Sequence, residues 1–268
     1  MSPRVLRVAV LFAAVLLALQ AWRSWVLLAS YDQGIFQQVL WNSLQGHPFE
    51  STLSSQLSTN VIHAGELPSV DYERLGQHFT PTLLLWAPLL GLIGGAALPL
   101  VQVGLITAAG LTLHRLALGL LPERTANWLT YGFFGGNALI GPTLGNYTDL
   151  CQLPLAVFVL MLGLVERRRW WITGAALWIP LIREDTGVLL VAIGLWLLLR
   201  QRQLWPLAMA LIAWGGGWVL ICTNLLMPLF SDDNAKRFMV ENFGQYLGDE
   251  NSSSSLGMVG HALRQPLL

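Results

Sequence analysis

Long apolar runs, broken by short polar joints, dominate this chain. They fall near 5–28, 79–95, 97–118, 125–142, 149–165, 170–183, 186–200 and 204–228. A helix crossing the hydrocarbon core of a bilayer needs about 20 residues, and about 17 suffice. The pattern predicts an all-α polytopic membrane protein. The bundle occupies 1–228 with an outer loop at 30–80, and 229–268 forms a polar, partly flexible outer tail. Within that loop Ile35, Phe36, Val39 and Leu40 recur at helical spacing, which predicts an amphipathic helix lying on the membrane and ended by Gly46-His47-Pro48.

Segment 79–95 is a poor straight span, because Pro81, Pro88, Gly91, Gly94 and Gly95 interrupt it. If it stays on the outer side, about seven spans remain. Arg4, Arg7, Arg115, Arg124, Arg167-Arg168-Arg169, Arg200 and Arg202 then all face the cytoplasm with only Glu123 and Glu166 for company. That is the bias expected of cytoplasmic loops, and it puts the N-terminus inside. The apolar run after Arg4 and Arg7 lacks a small-x-small cleavage site and reads as an uncleaved first span. Trp22, Trp25, Trp128, Trp170, Trp171 and Trp205 stand at span edges, as interfacial aromatics do.

Composition agrees. Apolar residues make up 54% and charged residues 11%, well below the roughly 25% charge of a soluble domain. Lipid is therefore the expected partner. A formal net charge of zero gives no reason to expect nucleic acid. Cys151 and Cys222 lie in apolar segments and read as packing residues.

Three polar regions fall on the expected outer side. The first holds Asp32, Gln37, His63, Glu66, Asp71, Glu73, Arg74 and His78. Asp32 is either a helix N-cap or a carboxylate placed for general-base or metal-binding work. The rest reads as a solvated acidic loop, with His78 where the chain re-enters apolar sequence. The second, Gly145-Asn146-Tyr147-Thr148-Asp149, reads as a turn. The third is Arg183-Glu184-Asp185-Thr186-Gly187 between two short apolar runs. It is either a hairpin apex with Asp185 or Thr186 as N-cap, or a charged cluster serving a cavity at membrane depth. The Gly-rich pieces Gly94-Gly95, Gly135-Gly136 and Gly215-Gly216-Gly217 suggest close helix packing. The chain carries no phosphate-binding loop, no zinc-protease, nucleophile-elbow or dinucleotide fingerprint, and no evident internal repeat.

The order of motifs is more specific than any one of them. Tyr31-Asp32-Gln33-Gly34-Ile35-Phe36-Gln37-Gln38 with Trp41 follows the first span. His78-Phe79-Thr80-Pro81, Trp86-Ala87-Pro88-Leu89, Gln102 and Arg183-Glu184-Asp185-Thr186-Gly187 come after it. This order resembles the bacterial membrane proteins grouped as domain of unknown function two-thousand-seventy-nine, which are allied by sequence to the GT-C glycosyltransferases. The resemblance implies a GT-C-like helical bundle in the bacterial inner membrane with its active site on the outer face. It implies a polyprenyl-phosphate-linked sugar as donor. Asp32 matches the acidic residue of the first outer loop, with Glu184 or Asp185 as second catalytic carboxylate. Arg183 would hold the lipid phosphate, with His78, Arg74 and Gln37 as further substrate contacts. A divalent metal, Mg or Mn, is the cofactor such a site would take. Relatives continue through further spans, so the chain is expected to be a shortened version. The alternatives are a non-catalytic membrane protein or a lipid- or solute-handling transporter.

Overall fold

The computed structural model describes residues 2–28, 30–61 and 67–231, with the side chains of 58–61 excepted. His63, Glu66 and the tail beyond 231 lie outside the described residues. Within them the fold is all-helical, and the only sheet-like pairing is an isolated bridge between Glu50 and Glu73.

Eleven α-helices are described: α1 (Pro3–Trp25), α2 (Tyr31–Leu44), α3 (Thr52–Val61), α4 (Ala87–Ile93), α5 (Ala97–Leu118), α6 (Glu123–Gly135), α7 (Asn137–Gly145), α8 (Leu153–Glu166), α9 (Arg169–Ile182), α10 (Gly187–Arg200) and α11 (Trp205–Ile221). Four helical stretches are long and apolar enough to cross a membrane: Pro3–Trp25, Pro81–Leu118, Asp149–Glu166 and Arg202–Leu229. The second is not one rod. Gly94 takes φ 60° and ψ −144°, a conformation open to glycine, and splits a 3-10 turn plus α4 from α5. α4 has seven residues and is about 10 Å long, whereas α5, with 22, reaches about 33 Å. The run expected over 125–142 is likewise two helices, because Gly136 is extended (ψ 126°). α9 and α10 have 14 residues each, about 21 Å.

Hydrogen bonds fix the direction of each pass. Gln20 near the end of α1 donates to the Thr143 carbonyl at 2.6 Å, and Arg23 donates to that of Gly145, so α1 and α7 finish at the same end. α5 starts there, since Gln102 donates to the Asn146 carbonyl at 3.0 Å. It finishes at the opposite end, where Arg115 meets Glu166, the last residue of α8. Arg168, just before α9, meets Glu166 too. Leu120, Arg167 and Gln201, from the turns after α5, α8 and α10, line one crevice at that end. The described chain thus runs between the two ends as α1, α5, α6–α7, α8, α9, α10 and α11. One end holds the arginine-bearing turns. The other holds α2, α3, α4 and the polar joints.

Three cores support this arrangement. Ala9, Phe12 and Leu16 of α1 meet Val103, Ile106 and Phe134. A second core joins α8–α11 through Leu160, Ile179, Leu190, Leu197 and Leu211. Here α9 packs mainly on α8, and α10 mainly on α11. Lipid offers no hydrophobic gain between helices, so close approach through small residues matters more. A Cβ on Gly187 would stand 2.4 Å from the Gly215 carbonyl, and one on Gly194 would stand 2.7 Å from that of Ala208. Of the glycine clusters expected to pack, the Gly215 group meets another helix backbone tightly, and Gly95 is approached by the Gln37 side chain. Gly135 and Gly217 face nothing within 4 Å, while Gly94 and Gly136 break helices. The third core sits beneath α2, whose Ile35, Phe36, Val39 and Leu40 are buried against Leu83, Leu90, Leu98, Tyr147 and Cys151. Burial stabilises each such side chain by about 1.5–3 kcal/mol, more than the ~1 kcal/mol of a helix cap, so packing holds α2 in place.

A candidate anion and hydroxyl site at one end of the bundle

The cap of α2 is Ser30, whose hydroxyl accepts from Gln33 N–H at 3.1 Å. Asp32 is therefore not the N-cap. It sits exposed in the first turn, where Asn146 donates to its Oδ2 at 2.5 Å. Ser30 donates in turn to Asn146 Oδ1. One asparagine from the joint after α7 thus ties the start of α2 to the bundle and leaves Asp32 room for another partner.

Asp32 opens onto a cavity of about 170 Å³ that is also lined by Phe36, Arg74, His78, Asn146, Tyr147, Asp149 and Arg183. Three joints far apart in sequence supply these residues: α2 with the loop after it, the α7–α8 joint and the α9–α10 joint.

Arg74 is the deepest cation. A 3-10 turn over Arg74–Gly76 buries it, and its guanidinium lies over the Phe36 ring at 4.6 Å. Burial pulls its pKa down, while Asp149, Glu184 and Asp32 counter this by favouring the charged form. Its Nε–H has no partner. Asp149 is 2% exposed, with Oδ1 accepting from Leu150 N–H and Thr148 O–H while Oδ2 has no partner. Tyr147 is buried against Phe36, its hydroxyl beside the Cys151 thiol and without a nitrogen or oxygen partner. Burial, then Cys151 and Asp149, push its pKa well above the usual phenol range, so it stays protonated. An unmade hydrogen bond at a buried atom costs about 1–3 kcal/mol. Three residues with such an atom line this one cavity.

Arg183 forks onto Asp185, Nε to Oδ1 at 2.9 Å and Nη2 to Oδ2 at 2.6 Å. Burial would lower its pKa, but Asp185 and Asp149 raise it; burial would raise that of Asp185, but the Arg183 fork lowers it. A guanidinium has five N–H groups, so three remain for a ligand. Glu184 is buried behind the cavity, with Oε1 2.9 Å from His78 Nδ1 and Oε2 accepting from Phe79 N–H at 2.9 Å. It clamps the loop onto the α9–α10 joint. Thr186 stands at the N-cap position of α10 but makes no side-chain cap bond; its hydroxyl turns back to the carbonyls of Ile179 and Arg183.

Of the residues singled out from sequence, Asp32, Arg74, His78 and Arg183 line the cavity, and Glu184 touches it through His78. Asp185 is directed to Arg183. Gln37 donates to the Gly95 carbonyl at 3.1 Å and is not among the lining residues. Sequence reading passed over Asn146, Tyr147 and Asp149, treating them as a turn. A signal was present: Gln20 and Gln102 are polar residues inside apolar runs, and they bond the carbonyls of Thr143 in the last turn of α7 and of Asn146 in the joint.

Among the described residues no group of three or more His, Cys, Asp or Glu is placed to hold a metal ion. Magnesium commonly takes one or two carboxylates and leaves the rest to water and phosphate, so Asp32 and the free oxygen of Asp149 are the side chains that would hold one. The two guanidiniums of the same cavity suit an anion directly.

A family model described as "Predicted membrane protein (DUF2079)" matches residues 23–268. The chain belongs to this family. Contact with the lipid bilayer follows from that membership. Both cysteines are free and buried. No curated protein and no solved structure matches the chain.

Proposed function

We propose that this protein is a GT-C-like membrane glycosyltransferase that moves a sugar from a polyprenyl-phosphate donor to an acceptor on the outer face of the bacterial inner membrane. The observation that carries this reading is the single cavity in which Asp32, His78, Arg74 and Arg183 meet at the end remote from the arginine-bearing turns. The positive-inside bias then sets the N-terminus in the cytoplasm and the cavity outside. All seven passes cross in this topology, with α6–α7, α9 and α10 as short spans shielded by their neighbours.

The arrangement suits the chemistry. The Asp32 carboxylate takes the proton of an acceptor hydroxyl. The freed oxygen attacks the anomeric carbon, and the bond from that carbon to the phosphate oxygen breaks. The leaving electron pair stays on polyprenyl phosphate, where Arg183 and His78 offset the added negative charge. Asn146 fixes the rotamer of Asp32, and Glu184 accepts from Nδ1 of His78, so that in the imidazolium form Nε2–H is left to donate to a phosphate oxygen. In proteoliposomes with labelled polyprenyl-phosphate sugars, Asp32→Asn should lower transfer by about 10²-fold or more, the scale of general-base catalysis. Equal turnover in wild type and variant would remove Asp32 from the reaction. Solute uptake without any transfer product would point to a transporter instead.

A further inference from the structure

We infer that the inner wall of this cavity, formed by Tyr147, Asp149 and Arg74, is a hydroxyl-recognition subsite that holds one sugar ring, with the donor phosphate left at the outer lip beside Arg183 and His78. This inference rests on the transferase reading above and names how the donor lies.

The unpartnered atoms carry it. Asp149 Oδ2 accepts only, Arg74 Nε–H donates only, and the Tyr147 hydroxyl does either. The donor's phosphodiester cannot satisfy that set, because it carries no O–H to give to Asp149 and is repelled by a carboxylate charge. Sugar hydroxyls both donate and accept, so one gives a proton to Asp149 and its neighbour accepts from Arg74. Arg183, whose fork onto Asp185 leaves three N–H groups, is the cation free for phosphate. Unpartnered buried atoms occur elsewhere too. But His114 and Gln152 are each the one such residue of their own crevice, whereas three residues that carry such an atom line this cavity. The volume agrees. About 170 Å³ equals roughly six waters at about 30 Å³ each, room for a single ring and not for an oligosaccharide. Phe36, stacked under Arg74 and edge-on to Tyr147, keeps the two donors in register.

The test measures binding to the full chain in nanodiscs. The probes are a short polyprenyl phosphate and its glucose-, galactose-, mannose- and N-acetylglucosamine-linked forms. Wild type should bind at least one sugar-linked form about tenfold or more tighter than the bare lipid phosphate, as a site built for hydroxyls does. Tyr147→Phe and Asp149→Asn should bring that ratio to within about threefold while the bare lipid phosphate binds as before. Arg183→Gln should weaken both lipids alike. If wild type binds the bare and sugar-linked lipids equally, the subsite does not exist, and no variant is needed to conclude so. An unchanged ratio in both conservative variants overturns it as well. If wild type binds none of these lipids, the transferase reading falls and takes this inference with it.

Discussion

At one end of the bundle, Arg115 reaches Glu166 between two helices while Arg168 meets the same carboxylate, and both guanidiniums lie over the Trp171 ring. These side chains are half-exposed. At the other end Arg74 is buried under α2, Glu184 is buried with both oxygens engaged, and Asp149 keeps an oxygen without a partner. The chemistry of the groups is the same, but their surroundings are opposite. Exposed ion pairs are screened and cheap to rearrange, whereas buried charges are tolerated only where geometry satisfies them or a ligand completes them. The first end has the exposed arginines that the proposed orientation would use, and the second has the buried polar groups on which the proposed site rests.

Labelling would break or sharpen this contrast most sharply. With Cys151 and Cys222 buried, cysteine placed at exposed Asp71 should react fully with an impermeant thiol reagent added outside intact cells, and cysteine placed at Arg202 should not. The reverse pattern would invert the orientation. Next comes packing. Gly215→Val drives a side chain into the Gly187 carbonyl and should destabilise the detergent-solubilised protein by about 1–3 kcal/mol. Gly104→Ala, with open space around it, should be neutral or stabilise by up to about 1 kcal/mol. Thermal unfolding of the two variants separates tight from loose helix contact. Glu184→Ala removes the acceptor of Phe79 N–H and the partner of His78 and should cost about 1–3 kcal/mol, read as a lower unfolding midpoint. At the opposite end Arg115→Ala should cost only about 0.2–1 kcal/mol and lose even that at high salt. An equal loss for Glu184→Ala and Arg115→Ala would erase the distinction between the ends.

Much of the fold was legible. The spacing of Ile35, Phe36, Val39 and Leu40 announced the face that α2 buries. Proline and glycine in 79–95 announced a broken segment, which Gly94 provides. The break at Gly136 was not legible, because a glycine in an apolar run signals packing as readily as an extended residue. The site was half legible. Asp32, His78 and Arg183 stood out as charges beside apolar runs, but Asp149 looked like the end of a turn and Gln37 like a ligand.

By itself the sequence determined that this chain lives in a bilayer, because no other solvent accepts so many apolar residues with so few charges. It also determined which turns gather the arginines, since that bias is local to each loop. Only the tertiary structure decided which polar residues share a cavity. Asp32, Arg74, Asp149 and Arg183 are brought together by the side-by-side packing of helices that begin or end at one level. That packing depends on contacts such as Gln102 to Asn146 and Gly187 to Gly215, whose partners lie far apart along the chain.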